Sequence, residues 1–86
     1  MMQAAVLAKF AKEDAREAYL KLRKRFQVLP LFGTFDLLIA VEEPSYPELS
    51  QTIMGINRMK GIETTNSMMV VPHEVLVESL ERGSRL

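Results

Sequence analysis

Five consecutive apolar residues near the middle of the chain, Leu37-Leu38-Ile39-Ala40-Val41, place the strongest constraint on the fold. The run is too short to span a membrane, and its residues suit a strand covered on both faces. Gly33 stands just before it, where a turn or a close backbone approach calls for a residue without Cβ. Asp36 puts a carboxylate at the mouth of the strand. By local chemistry alone these two are ordinary turn residues. A glycine turn and an acid beside a buried strand also make a place where a small polar ligand can sit.

The flanking segments alternate between the periods of strand and helix. Ala4 to Phe10 reads as a first, central strand. Asp14 and Glu17 then have the spacing of a capping box. Ala15, Ala18, Tyr19, Leu22 and Phe26 follow at steps of three and four, the apolar stripe of a helix lying on a sheet. Arg16, Lys21, Lys24 and Arg25 occupy its other side and read as solvated surface, because no aromatic residue is interleaved. In a second strand Phe26, Val28 and Phe32 share a face, and Pro30, with no N–H for a ladder, assigns it to an edge or a bulge. The third strand runs from Asp36 to Val41 and is closed by Glu42-Glu43-Pro44.

A Ser45-x-x-Glu48 capping box with Pro47 in the first turn opens a second helix. Leu49, Ile53, Ile56 and Met59 form its stripe, and Gly61 is placed to end it. Thr64 to Val71 reads as a fourth strand, with Thr65, Ser67 and Met69 on one face and Asn66, Met68 and Val70 on the other. Pro72 stops that strand and opens a short last helix, His73 to Glu81; Gly83 to Leu86 reads as a frayed tail.

The order β-α-β-β-α-β is the split βαβ, ferredoxin-like pattern of the α+β class: a four-stranded antiparallel sheet with both main helices on one face, here with an extra C-terminal helix. We read residues 1–86 as a single domain, its core at about 3–71 and its last helix at about 73–81. A chain of this length buries only about 60–65% of its unfolded surface. Its strands are apolar on both sides, yet two helices cover one side. The open face therefore calls for a partner, most simply a second copy packed sheet to sheet as a dimeric α+β barrel.

Lys plus Arg and Asp plus Glu both number 11, so bulk electrostatic attraction to nucleic acid is excluded and no direct DNA binding is expected. With no cysteine there is no disulfide, thiolate chemistry or Cys-based zinc site, which fits a cytoplasmic protein. No signal peptide or membrane span is expected. His73 is the single histidine and has no triad partner or metal-ligand spacing near it. Met54, Met59, Met68 and Met69 read as core or interface filler. Catalytic residues, a metal and a cofactor are therefore not expected. What remains is two sets of small polar groups, Gly33, Thr34 and Asp36 at one turn and Gly61, Thr64, Thr65, Asn66 and Ser67 at the entry to the fourth strand. Such groups suit a zwitterion: N–H and hydroxyl groups for a carboxylate, Asp36 for an ammonium.

Gly33-Thr34-Phe35-Asp36 before an apolar strand resembles the Gly-x-aromatic-Asp motif of the effector domain of Lrp/AsnC, or feast/famine, regulators. Gly61-Ile62-Glu63-Thr64-Thr65-Asn66-Ser67 resembles the family's second signature, Gly-Val, two residues, then Thr-x-Thr, with Ser67 where Thr is favoured. The resemblance covers about Gln3 to Val71. It implies a regulation-of-amino-acid-metabolism (RAM) domain that dimerises through its sheets and builds rings such as an octamer. Amino-acid effectors then bind at the dimer–dimer contact, lined here by Gly33, Thr34, Asp36, Thr65 and Ser67. The segment before Gly33 is about three residues shorter than the usual pattern and contains Pro30. The first strand begins within a few residues of Met1, so no helix-turn-helix domain is expected. The chain thus resembles the stand-alone effector-domain proteins, which sense amino acids or join full-length Lrp/AsnC regulators in mixed oligomers. Two alternatives use the same fold: a small dimeric barrel enzyme of the monooxygenase type, and a purely structural assembly partner of a DNA-binding regulator.

Overall fold

The computed structural model of the chain describes residues 1–83. Its elements run β1 (Met2–Phe10), α1 (Ala15–Arg25), β2 (Gln27–Pro30), β3 (Leu37–Glu43), α2 (Tyr46–Asn57), β4 (Ile62–Val70) and α3 (His73–Glu81). The four strands form one antiparallel sheet in the order β2-β3-β1-β4, the ferredoxin-like arrangement with β1 and β3 in the centre. Pro30 closes the edge strand β2, where its missing N–H costs no internal ladder bond.

Ala4, Val6 and Ala8 of β1 pair with Val41, Ile39 and Leu37 of β3, and all six are buried. They face Ala18 and Leu22 of α1 and Leu49 and Ile56 of α2, and these residues with Ile62 form one apolar core. Phe10 and Tyr19 close its end with an edge-to-face ring pair, centroids 6.4 Å apart. At the start of α2 the Ser45 oxygen accepts the Glu48 N–H at 3.5 Å, and its hydroxyl donates to Glu48 Oε1 at 2.9 Å. The Ser45–Glu48 pair thus joins side chain to side chain, a variant of the reciprocal capping box.

Strand and cap details depart from the sequence expectations for reasons set by distant partners. β1 begins at Met2, and β3 includes Glu42 and Glu43, because Met2 and Gln3 continue the ladder opposite them and Gln3 Nε2 donates to Glu42 at 2.9 Å. Phe32 lies outside β2, fully exposed in the β2–β3 loop, which turns away after Pro30. Asp14 does not cap α1 with its side chain; its backbone is left-handed, at φ 64°. Gly61 does not end α2, which stops at Asn57; it sits at φ +97° just before β4. These two departures have one cause. The Gly61 Cα passes so close to the Asp14 carbonyl that a Cβ would fall on it, and the Gly61 carbonyl accepts the Ala11 N–H at 2.8 Å. β4 starts at Ile62, two residues before Thr64, because Ile62 pairs with Phe10 across a bulge. The tail reading falls mostly on residues 84–86, outside the described residues.

Among the described residues, two surfaces remain uncovered. The sheet face opposite the helices carries Ala5, Leu7, Leu38, Ala40, Leu29, Met68 and Val70. The second is α3, none of whose residues is buried.

Candidate functional site

Asp36, just before β3, is bonded both to β1 and to the start of the β2–β3 loop at one end of the sheet. Its carboxylate accepts the Phe10 N–H at 2.9 Å. Its own N–H donates to the Ala8 carbonyl at 2.9 Å, and its carbonyl accepts the Leu31 N–H at 2.9 Å, closing the loop that holds Gly33 and Thr34. Gly33 lies exposed at φ +137° with open space where a Cβ would stand, so its glycine meets a backbone requirement rather than a packing one. Thr34 is exposed beside it.

The second polar set reaches the same end through the ladder. Ala8 pairs with Leu37, the neighbour of Asp36, on one side and with Thr65 on the other. Asp36 and Thr65 therefore flank β1 two strand spacings apart, about 10 Å. The Thr65 hydroxyl donates to Asn57 Oδ1 at 2.8 Å, a tie between β4 and the end of α2. Ser67 lies one pleat further along, opposite Val6 and exposed because β4 is an edge. The fold thus gathers Gly33, Thr34, Asp36 and Thr65 at one end of the sheet, with Ser67 set back. Asn57 belongs with this group, and sequence reasoning missed it: its link to Thr65 depends on how α2 lies on the sheet.

A second feature carried no sequence motif at all. An open hollow of about 650 Å³ lies at the opposite end of β1, lined in part by Ala5, Ala40, Gln3, Gln27, Glu42 and Arg25. Ala5 and Ala40 stand opposite each other in register, so two small residues meet on the open sheet face. The Arg25 guanidinium is 3.8 Å from Glu43 at its edge. A trough floored by small apolar residues and lined as much by polar groups suits a protein surface. Among the described residues, no cluster of His, Cys, Asp or Glu is arranged to hold a metal ion, and no helix is long and apolar enough to cross a membrane.

Among solved structures, FFRP-DM1 matches 83% of this chain and 100% of its own, with 28% identity and a TM-score of 0.75. FFRP denotes the feast/famine, Lrp/AsnC-type proteins. In fold the chain resembles an Lrp/AsnC-like RAM domain. A hypothetical protein from Pyrococcus horikoshii is similar over 86% of this chain and 95% of its own, with 28% identity and a TM-score of 0.71. A transcriptional regulator from Neisseria meningitidis, solved as a complex with L-Met, shares the fold with 19% identity and a TM-score of 0.71. That match covers 84% of this chain and 51% of the regulator. No family model and no curated protein matches the chain. The solved structures similar to it include a feast/famine-type protein and a transcriptional regulator.

Proposed function

We propose that this chain is a non-enzymatic module that binds an amino-acid effector and couples that binding to self-assembly. The observation that carries the reading is the shared end of the sheet, where β1 brings the Gly33–Asp36 loop and Thr65 into one region. The loop N–H groups and the Thr65 and Ser67 hydroxyls suit a carboxylate, and Asp36 suits an ammonium. The L-Met held by the Neisseria regulator supports an amino acid as the ligand class. A neighbouring subunit would complete the site, and the apolar open face supports a sheet-to-sheet dimer as the unit of a larger ring. Mixed oligomers with full-length regulators would carry the signal to DNA without contact by this chain.

The mechanism is linkage. A ligand seated between subunits stabilises the assembly that contacts it best, by about 2.7 kcal/mol per site at roughly 100 times its Kd. Calorimetry against the twenty amino acids at millimolar concentration, run beside light scattering, tests this. We expect heat from at least one of them together with a change in mass. No heat from any of them removes the sensor reading.

One observation favours a second reading. The Asp36 carboxylate and the Thr65 hydroxyl are already engaged, with Phe10 and Asn57. They would then frame the sheet end, and the chain would serve assembly alone. Association with a DNA-binding paralogue that is indifferent to every amino acid would favour this reading.

A further inference from the structure

α3 is a helix none of whose apolar side chains is buried. Leu76 and Leu80 are 42% and 43% exposed, and Val77 is 46% exposed. The helix follows β4 after only Val71 and Pro72, and β4 is an edge strand. The whole chain exposes 6,455 Å², against about 5,200 Å² expected for a compact monomer of this mass. Its radius of gyration is 14.5 Å, against about 12 Å expected for this length. The excess surface, about 1,300 Å², is more than the ~800 Å² that each partner buries in a standard interface.

Charge decides what α3 fits. Its Glu74 and Glu81 lie seven residues apart, hence on one face and about 10.5 Å apart along the axis, with Val77 between them. α1 presents the opposite charge at the same interval: Arg16 and Arg23, with Leu20 between them, 39% exposed. Among the described residues none of these four charges has an ion-pair partner. Beside Arg23 an open groove runs between α1 and the β2 edge, lined by Tyr19, Val28 and the 62% exposed Leu29. α3 cannot reach this groove in its own chain. β2 and β4 are opposite edges of the sheet, about 14 Å apart, and the two-residue link to α3 starts at the wrong edge.

We propose that α3 is an intersubunit arm that lies along the α1–β2 groove of a second copy of this chain. Glu74 and Glu81 face the second copy's Arg16 and Arg23, and Leu76 and Leu80 cover its exposed apolar edge. This rests on the assembly part of the proposed function and is independent of amino-acid binding. In a two-fold dimer the contact occurs twice, and each copy both gives and receives an arm.

Sedimentation velocity on the full chain tests it, with circular dichroism confirming the fold, since every altered side chain is exposed. The variants are Glu74→Arg/Glu81→Arg, Arg16→Glu/Arg23→Glu, the four-fold exchange of both pairs, and Leu76→Asp/Leu80→Asp. We expect each charge reversal and the leucine variant to weaken self-association at least tenfold at low salt. The four-fold exchange, which restores complementarity, should recover most of it. If the wild-type chain is monomeric at every concentration, both the assembly reading and the arm are refuted. If it assembles and the reversals do not weaken it, only the arm is refuted. Weakening by the α3 reversal but not by the α1 reversal overturns the groove as the landing site and assigns α3 another occupant. Failure of the four-fold exchange to recover association overturns the charge pairing.

Discussion

Replacing Gly61 with alanine separates a backbone requirement from a packing one. At φ +97° an L-residue is strained by about 1–2 kcal/mol. The new Cβ also meets the Asp14 carbonyl and lies 2.9 Å from the Ala18 Cβ, in a buried site at the junction of α1 and β4. Backbone that must move to relieve such overpacking costs typically a further 1–3 kcal/mol. The sum, about 2–5 kcal/mol, is a large part of the roughly 4–13 kcal/mol expected for a domain of this length. At about 4–8 °C per kcal/mol, a loss near 3 kcal/mol lowers Tm by about 12–24 °C. Gly33→Ala is the internal control. Gly33 has a comparable positive φ, 137°, with nothing within 4 Å of its missing Cβ, so only the strain of about 1–2 kcal/mol applies. Thermal unfolding followed by circular dichroism, at one fixed protein concentration because assembly shifts Tm, reads both. A Gly61→Ala protein within 1 kcal/mol of wild type, or a Gly33→Ala protein more destabilised than it, refutes this reasoning.

Three other substitutions probe the remaining layers. Asp36→Ala removes the acceptor of the Phe10 N–H and should cost about 1–2 kcal/mol in urea unfolding, with Asp36→Asn costing less because it keeps an acceptor; equal effects of the two would show that the oxygen is not what matters. In the same proteins calorimetry asks whether amino-acid binding falls further than stability does, which separates ligand contact from turn framing. Leu22→Ala opens a cavity beneath α1, where Leu22 is fully buried, and should cost about 2–5 kcal/mol by chemical denaturation. Ala40→Glu places a charge on the open sheet face, where Ala40 is exposed in the single chain. It should leave the circular dichroism spectrum unchanged and shift light scattering toward monomer; an unchanged mass would rule that face out as an interface.

Much of the fold was legible because its signals are local. The stripe containing Ala18 and Leu22 and the stripe containing Leu49 and Ile56 lie at helical spacing, and those four residues are the ones the helices bury. Ser45 and Glu48 mark a helix start that needs no distant partner. Pro30 lacks an N–H, which limits β2 to an edge or a bulge, and the strand order puts it at the edge. Asp14 was misleading for the same reason. Asp followed by Glu three residues later has the right spacing, but the cap geometry there is set by Gly61, nearly fifty residues away, pressing on its carbonyl. The strand ends were displaced because a ladder continues wherever its partner continues, as Glu42 and Glu43 do opposite Gln3 and Met2.

The candidate site divides along the same line. By itself the sequence determined which groups are chemically available: Asp36, the hydroxyls of Thr65 and Ser67, and glycines able to adopt positive φ. Residue type limits charge, hydrogen bonding and backbone freedom wherever the chain goes. Only the tertiary structure decided which of them meet. The register of β1 sets Asp36 and Thr65 at one end of the sheet, the docking of α2 hands the Thr65 hydroxyl to Asn57, and Ala5 and Ala40 become a trough only when their strands pair. It also decided that α3 buries none of its residues, although its apolar spacing resembles that of the two helices that do. A stripe specifies a face that must be covered. What covers it depends on where the preceding strand ends, and β4 ends at the sheet edge, beyond the reach of this chain's own core.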